Sequence, residues 1–265
     1  MRPRLIASDL DGTLLDARRE LSPRTVAAVR AAVAADVGFL LVTARPPRTV
    51  APLARQLGVP IEALCCNGAL LAGFPSGTAT VIRAFEAEQA VAIVEQLRPA
   101  LPEAGFAVET GFEVYYQAAF HVGAISDDRR IPAEDLAPAA RGANRPVKVL
   151  ARSPRRTADE MVEVAVRTLT VPAEISHSGG AGLLEVAPQG SSKASGLAWL
   201  CARRGIAAGE VAAFGDMPND LPMLRWAGRG HAVANAHPEV LAAAHAVVGH
   251  HAEDGVAVAV EALLG

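Results

Sequence analysis

Four apolar runs, each ending in polar residues or a turn, constrain the fold of this chain more than any other feature. The runs are LIAS at 5–8, VGFLLVTA at 37–44, IEALCCNGA at 61–69 and VAAFG at 211–215. None of them alternates between apolar and polar residues, so each predicts a strand buried on both faces. Helical patterns separate the first three runs, one opening at Ser22-Pro23 and one ending near Leu57. This alternation of strands and helices predicts an α/β fold with a doubly wound, mostly parallel sheet.

The middle of the chain has a different pattern. Between residues 84 and 187, helical segments alternate with short strands such as FEVYYQ and VKVLAR, and a polar stretch at 126–146 predicts a loop. Such a mixture is typical of an α+β domain. We therefore predict two domains: a Rossmann-like core formed by 1–83 and 188–265, and an inserted α+β domain at 84–187.

Length and charge exclude several classes of protein. A chain of 265 residues, 51% of them hydrophobic, has ample material for a core. Its 25 basic and 28 acidic residues give a net charge of −3 without a basic cluster, so neither nucleic acid nor a membrane surface is an expected partner. Asp9 and Asp11 interrupt the first apolar stretch too early for a signal peptide. The three cysteines lack zinc-ligand spacing and fit a reducing compartment, so we expect a cytoplasmic protein. A monomer or a homodimer is the expected assembly.

Acidic residues follow two of the buried strands. Asp9 and Asp11 come directly after the first strand, and Asp216 and Asp220 come after the strand at 211–215. Because the carboxyl ends of parallel strands meet at one edge of the sheet, folding brings these carboxylates together. Like charges a few ångströms apart stay ionised only beside a cation, and an all-oxygen ligand set suits Mg²⁺. The sequence therefore predicts a Mg²⁺ site at this edge.

The predicted Mg²⁺ site favours phosphate chemistry, because the ion offsets charge on a transferring phosphoryl group. One carboxylate can then attack phosphorus and form an aspartyl phosphate, which divides a difficult displacement into two easier ones. If strand geometry continues beyond Asp9, Asp11 points away from it and suits a proton donor on the leaving-group side. The two acids are therefore predicted to have separate roles.

Four motifs occur in order along the chain. They are DLDGTLLD at 9–16, LLVTARP at 40–46, PQGSSKASGL at 188–197 and GDMPNDLPML at 215–224. These resemble the four motifs of the haloacid dehalogenase superfamily of phosphotransferases. CCNGAL, EVAP, VANAHPEVLAAA and EDGVA further resemble its Cof-like branch of sugar phosphatases, in which an α/β type II cap lies between the second and third motifs. The resemblance covers residues 4–82 and 183–264, whereas the inserted domain matches only in position and size.

The resemblance implies roles for the motif residues. Asp9 would be the nucleophile and a metal ligand, and Asp11 the general acid and then base, with its backbone carbonyl on the metal. Thr43 and Lys193 would bind the transferring phosphoryl oxygens. The other implied roles are metal binding by Asp216, support of the metal or of Lys193 by Asp220, and orientation of the phosphate by Asn219, Gly12 and Ala44. Ala44 stands where the family usually has glycine. This difference affects only how closely the backbone amide of Ala44 approaches the phosphate.

Several further residues have two interpretations each. Arg45 is a candidate for binding substrate, with a salt bridge as the alternative, and Asn67 is a candidate for the phosphate side, with a turn at Gly68 as the alternative. The adjacent pair His250-His251 does not have metal-ligand spacing and is expected at the surface. Candidates for lining a sugar pocket, for which structural roles are the favoured interpretation, are His121, His177, Tyr115, Tyr116 and Glu109.

These patterns predict a Mg²⁺-dependent phosphomonoester hydrolase for a small phosphorylated metabolite, with sugar phosphates as the expected class and the cap closing over the substrate. One alternative is a phosphotransferase or mutase of the same fold, in which a sugar hydroxyl replaces water as the acceptor. Another is a catalytically idle sensor of a phosphorylated ligand.

Overall fold

A computed structural model describes residues 2–120, 129–142, 144–177 and 182–265. Two compact units are formed, one by the chain up to Thr80 with Ser192–Gly265 and the other by Val81–Ser191. The strands within the described residues are β1 (Leu5–Ser8), β2 (Gly38–Val42), β3 (Ile61–Cys65), β4 (Leu70–Phe74), β5 (Ala79–Val81), β6 (Gly105–Glu109), β7 (Val114–Tyr116), β8 (Arg130–Pro132), β9 (Lys148–Arg152), β10 (Ala173–Ser176), β11 (Leu183–Pro188), β12 (Val211–Gly215), β13 (Arg229–Val233) and β14 (Ala246–Val248). The α-helices of the same residues are α1 (Pro23–Ala34), α2 (Pro47–Leu57), α3 (Ala87–Ala100), α4 (Ala137–Ala140), α5 (Ala158–Thr168), α6 (Lys193–Arg204), α7 (Leu221–Trp226), α8 (Pro238–Ala243) and α9 (Gly255–Leu264).

The first unit contains a sheet with the strand order β14-β13-β12-β1-β2-β3-β4-β5. All pairings from β14 across to β3 are parallel, and β4 runs antiparallel to β3. Every residue of β1 and β12 is buried, which is why their sequences are continuously apolar. The predicted α/β fold with a mostly parallel core sheet is confirmed.

The chain reverses its direction of winding between β1 and β12. From β1 it adds β2 and β3 on one side, and from β12 it adds β13 and β14 on the other. In open α/β sheets, ligands bind outside the carboxyl ends of the two strands at such a reversal. Because Ser8 lies opposite Phe214 in the register, the residues that follow both strands emerge at the same level.

Local sequence accounts for where the helices beside this edge begin. The hydroxyl of Ser22 accepts a hydrogen bond from the backbone N–H of Thr25, at 3.0 Å, and Pro23 is the first residue of α1. The hydroxyl of Ser192 accepts from the backbone N–H of Ser195, also at 3.0 Å. Ser192 is therefore the N-cap of α6, and Lys193 is the first residue of this helix.

The second unit contains a sheet with the strand order β10-β11-β9-β6-β7-β8. Its pairings are antiparallel except for the parallel pair of β7 and β8. Helices α3 and α5 belong to one core cluster with side chains from a single face of the sheet, among them Phe106, Val149 and Leu184. The opposite face carries a smaller apolar cluster and a buried ion pair between Lys148 and Glu185.

The prediction of a loop across 126–146 is wrong for part of its described residues. Arg130–Pro132 forms β8, which pairs with β7, and Ala137–Ala140 forms α4. Leu136 and Ala140 are buried in the same cluster as α3. Scattered charged residues give this stretch a polar average, but backbone pairing with β7 forms β8, and the packing of Leu136 and Ala140 accompanies α4.

Candidate active site

The aspartates that follow β1 and β12 lie together at the reversal of the sheet. Asp9 donates its backbone N–H to the carbonyl of Phe214 at 3.0 Å, which fixes it beside the end of β12. Both Asp9 and Asp216 are buried. The hydroxyl of Thr13 donates to Oδ1 of Asp216 at 2.7 Å, so the stretch after β1 also holds the aspartate after β12.

A tight turn at Leu10–Leu14 makes this contact possible. Its backbone departs from helical geometry at Asp11 and Gly12, and Gly12 has a left-handed φ of 79°. A Cβ atom on Gly12 would lie 2.5 Å from Oδ2 of Asp216, closer than a real Cβ atom approaches a non-bonded atom. β1 ends at Ser8, so the assumption that strand geometry continues to Asp11 is wrong.

Lys193 joins the two halves of the site. Its ammonium is buried and donates to Oδ1 of Asp9 at 2.6 Å and to Oδ1 of Asp220 at 2.7 Å. The other oxygen of Asp220 accepts from the backbone N–H groups of Asp216 and Met217, each at 3.1 Å. Asp220 therefore orients both the lysine and the loop after β12.

The charges of this cluster do not balance. Burial raises the pKa of Asp9 well above its ordinary value, although the ammonium of Lys193 acts in the opposite direction. Burial, with a smaller contribution from the charge of Asp220, raises the pKa of Asp216 to about 6, against the hydrogen bond from Thr13. Burial alone would lower the pKa of Lys193, but the carboxylates of Asp220 and Asp9 outweigh it and raise that pKa. Three buried acids thus share one ammonium.

The same three acids are suited to a divalent cation. One carboxylate oxygen from each of Asp9, Asp216 and Asp220 lies within 4.8 Å of the others. Their hard oxygen donors and uncompensated charge fit Mg²⁺, which favours carboxylates and retains several waters. The side chain of Asp11 is not in this group, so its predicted contribution to the metal is through its backbone carbonyl.

Asp11 is paired with Arg45. Nε of the guanidinium donates to Oδ2 of Asp11 at 2.7 Å, and Nη2 donates to Oδ1 at 2.5 Å. The backbone N–H of Arg45 donates to the hydroxyl of Thr43 at 3.1 Å. Of the two interpretations of Arg45, the structure therefore has the salt bridge.

The remaining predicted residues lie on neighbouring loops. Thr43 is buried after β2, and its carbonyl accepts from the backbone N–H of Asn67 at 3.0 Å. Asn67 is buried with a left-handed φ of 55°, and Asn219 donates to its side-chain oxygen at a long 3.5 Å. The buried Oδ1 of Asn219 has no hydrogen-bond partner among the described residues. Ala44 is half-buried beside Thr43.

Sequence analysis missed two residues that support the site. Thr13, which holds Asp216, lies within DLDGT but was not singled out for its side chain. Asn235 donates to the carbonyl of Gly12 at 2.8 Å and accepts from the backbone N–H of His251 at 3.0 Å. It belongs to VANAHPEV, so the motif was visible but the contact with a turn more than two hundred residues away was not.

Several of the other candidates have contacts of their own. His177 contacts Asp159 at 3.0 Å, and Tyr115 donates to Glu113 at 3.0 Å. His250 and His251 are both half-buried, and the backbone carbonyl of Leu15 contacts the second at 2.8 Å. The other sugar-pocket candidates divide as follows: Glu109 is buried, Tyr116 is half-buried, and His121 lies outside the described residues.

The cysteines are core residues. Cys65, Cys66 and Cys201 are all buried. Burial raises the pKa of Cys201 to about 11, which suppresses its thiolate form. Among the described residues, no helix has the length and apolar character needed to cross a membrane.

Comparison with known proteins shows the family to which the chain belongs. Pyridoxal phosphate phosphatase YbhA of Escherichia coli strain K12 is 29% identical to this chain over 275 residues, covering 97% of each protein. The HMP-PP phosphatase of Serratia proteamaculans strain 568 is 28% identical over 269 residues, covering 96% of this chain and 93% of the relative. A solved haloacid dehalogenase-like hydrolase from Bacteroides thetaiotaomicron has a TM-score of 0.79 at 26% identity, covering 99% of this chain and 100% of its own. A sequence model of the haloacid dehalogenase-like hydrolases matches residues 6–260, and the chain therefore belongs to that family.

Proposed function

We propose that this protein is a Mg²⁺-dependent phosphatase that hydrolyses phosphomonoesters of small metabolites, with sugar phosphates as the substrate class, through an aspartyl phosphate on Asp9. The observation that carries the proposal is the buried cluster of Asp9, Asp216 and Asp220 around Lys193, at the carboxyl ends of β1 and β12. This is the position in an open α/β sheet at which ligands bind.

Asp9 is suited to nucleophilic attack. Lys193 donates to its Oδ1 at 2.6 Å, and we assign the attack to its other oxygen, Oδ2. In the first step, a bond forms between this oxygen and phosphorus, and the bond from phosphorus to the leaving-group oxygen breaks. Asp11 gives its proton to the departing oxygen. In the second step, water attacks phosphorus, Asp11 accepts the water proton, and the bond to Asp9 breaks.

Lys193 and Thr43 are suited to binding the phosphoryl oxygens. The Lys193 ammonium is fixed by two carboxylates and needs no reorganisation as charge moves onto the phosphoryl group. The hydroxyl of Thr43 already accepts a hydrogen bond from the backbone of Arg45, which leaves its proton available for a phosphoryl oxygen.

Asp9, Asp216 and Asp220 are the side chains that would hold Mg²⁺. When bound, the ion supplies positive charge that offsets the three carboxylates and the phosphoryl oxygens. Thr13 keeps Asp216 oriented, because its hydroxyl occupies one of the two carboxylate oxygens.

Pyridoxal phosphate is a second candidate substrate. The relative named pyridoxal phosphate phosphatase aligns over 97% of this chain, including the inserted unit that would select the substrate. Both candidates are small phosphate monoesters, so the chemistry at Asp9 is the same for each.

The first prediction tests the nucleophile. Asp9→Asn should lower phosphate release at least about a thousand-fold, because an amide cannot form the acyl phosphate. Phosphate release is measured from sugar phosphates, pyridoxal phosphate and p-nitrophenyl phosphate, with Mg²⁺ or with EDTA. Asp36→Asn is the matched control, since Asp36 is an exposed aspartate before β2, at the opposite end of that strand from Thr43.

The outcomes separate the proposed function from its alternatives. The proposed hydrolase should release phosphate only with Mg²⁺ and should keep this activity in Asp36→Asn. The released phosphate should contain oxygen from isotopically labelled water. Transfer of the phosphoryl group to a sugar, without oxygen from the labelled water, would identify a phosphotransferase. Binding of these esters without turnover would identify a sensor, and unchanged turnover in Asp9→Asn would exclude the proposed mechanism.

A further inference from the structure

The contact between Arg45 and Asp11 has the geometry of a fork. Two guanidinium nitrogens each donate to a different carboxylate oxygen, at 2.7 and 2.5 Å. A planar guanidinium matches a planar carboxylate in this way, whereas an ammonium contacts it at a single point. The side chain of Asp11 is 40% exposed and precedes the left-handed Gly12, so few packing contacts hold its rotamer. The fork fixes the orientation that packing does not.

The backbone of Arg45 is itself held on both sides. Its N–H donates to Thr43 at 3.1 Å, and its carbonyl accepts from the backbone N–H of Cys66 at 3.0 Å. Arg45 therefore belongs to a fixed segment between β2 and β3. Its side chain ties the turn after β1 to the loop that carries Thr43.

We propose that Arg45 is a positioning residue for Asp11 and does not itself bind substrate. This inference rests on the proposed function, in which Asp11 protonates the leaving group. The side of the guanidinium formed by Nε and Nη2 is engaged with Asp11, so this side is not available to bind phosphate.

The second prediction uses two esters of nearly the same shape. Phenyl phosphate needs a proton on its departing oxygen, whereas p-nitrophenyl phosphate releases a stable anion without one. Arg45→Lys keeps the charge but loses the fork. We expect it to lower kcat/KM about ten-fold or more for phenyl phosphate and less than about three-fold for p-nitrophenyl phosphate.

Four further variants complete the experiment. Arg24→Lys is the matched control, because Arg24 forms the same kind of fork with Glu261, at 2.9 and 2.7 Å, between α1 and α9. It should leave unchanged the ratio of kcat/KM for phenyl phosphate to kcat/KM for p-nitrophenyl phosphate. Asp11→Asn should lower the ratio as Arg45→Lys does, and the double variant should lower it no further, since both changes act on one step. Arg45→Gln, which can contact only one carboxylate oxygen, replaces Arg45→Lys if thermal unfolding shows that the latter is not folded.

The results have distinct meanings. A lowered ratio in Arg45→Lys with no further loss in the double variant supports the inference. A raised KM for both esters with an unchanged ratio would show that Arg45 binds phosphate. An equal fall in kcat for both esters without a change in KM would show a merely structural role. Either result overturns the inference. Failure of the wild type to release phosphate from either ester would overturn the proposed function itself.

Discussion

At the scale of single residues, Lys193 supplies a buried positive charge to the described site. It is buried against Asp9 and Asp220, and it is the ammonium that compensates them. Taking one partner out of a buried ion pair leaves an uncompensated charge, which costs more than the pair contributed. The lysine therefore has a structural role in addition to its proposed contact with phosphate.

The third prediction follows from this. Lys193→Met should lower the free energy of unfolding of the EDTA-treated protein by about 3 kcal/mol, because two buried carboxylates lose their cation. Urea unfolding measures the change, and Arg24→Met, which breaks an exposed pair, is the control with little expected effect. The loss should be smaller at about pH 5 than at about pH 8, since burial raises the pKa of Asp9 and protonation removes the uncompensated charge. Equal stability of the variant and the wild type at both pH values would contradict this account.

At the scale of elements, the turn that follows β1 determines how the site closes. Leu10–Leu14 leaves the strand direction abruptly and brings Thr13 onto Asp216. Gly12 permits this in two ways, through its left-handed φ and through the space that its missing Cβ leaves for the Asp216 carboxylate. Asn235 holds the same turn from the other half of the chain.

The fourth prediction separates those two properties of Gly12. Gly12→Ala should lower phosphatase activity more than about ten-fold, because the new methyl group displaces the Asp216 carboxylate. Gly77→Ala is the matched control, since Gly77 has a similar φ of 71° but no atom within 4 Å of the added Cβ. The control should lose about 1 kcal/mol of stability without a loss of activity. Activity that is lost to the same extent in both variants would contradict the steric explanation.

At the scale of the whole molecule, stability in acid depends on groups that are buried without a proton. His231 in β13 stacks on Phe214, with ring centroids 4.8 Å apart, and neither ring nitrogen has a hydrogen-bond partner among the described residues. Burial lowers the pKa of His231, and the charges of Arg229 and His245 lower it further. The folded state therefore disfavours the imidazolium, whereas the unfolded chain takes up the proton near the ordinary value of about 6.5.

The fifth prediction states the sign of this effect. The contribution of neutral His231 is fully present above about pH 6.5 and is lost as the pH falls below that value, because the unfolded state then binds more protons. His231→Phe should keep the stacking on Phe214 and show a shallower loss of stability between about pH 7.5 and about pH 5.5. Urea unfolding of both proteins at the two pH values measures the difference. Parallel losses would show that another group controls acid stability.

Local sequence determined the elements of this protein and the identity of its chemical groups. The continuous apolar runs predicted β1 and β12, and Ser22-Pro23 predicted the start of α1, because burial pattern and capping act within a few residues. The order of the motifs named Asp9, Lys193 and Asp216 as candidates. Sequence reasoning failed for β8 and α4, whose formation depends on distant packing partners and not on local polarity.

Only the tertiary structure decided which of these groups touch. Lys193 and Asp9 are 184 residues apart, and they meet because β12 lies beside β1 at the reversal of the sheet. The partner of Arg45 could not be chosen from its sequence, since a salt bridge and a contact with substrate require the same residue type. A side chain's chemistry is a local property, whereas its partner is set by strand order and turn geometry, which depend on the packing of the entire unit.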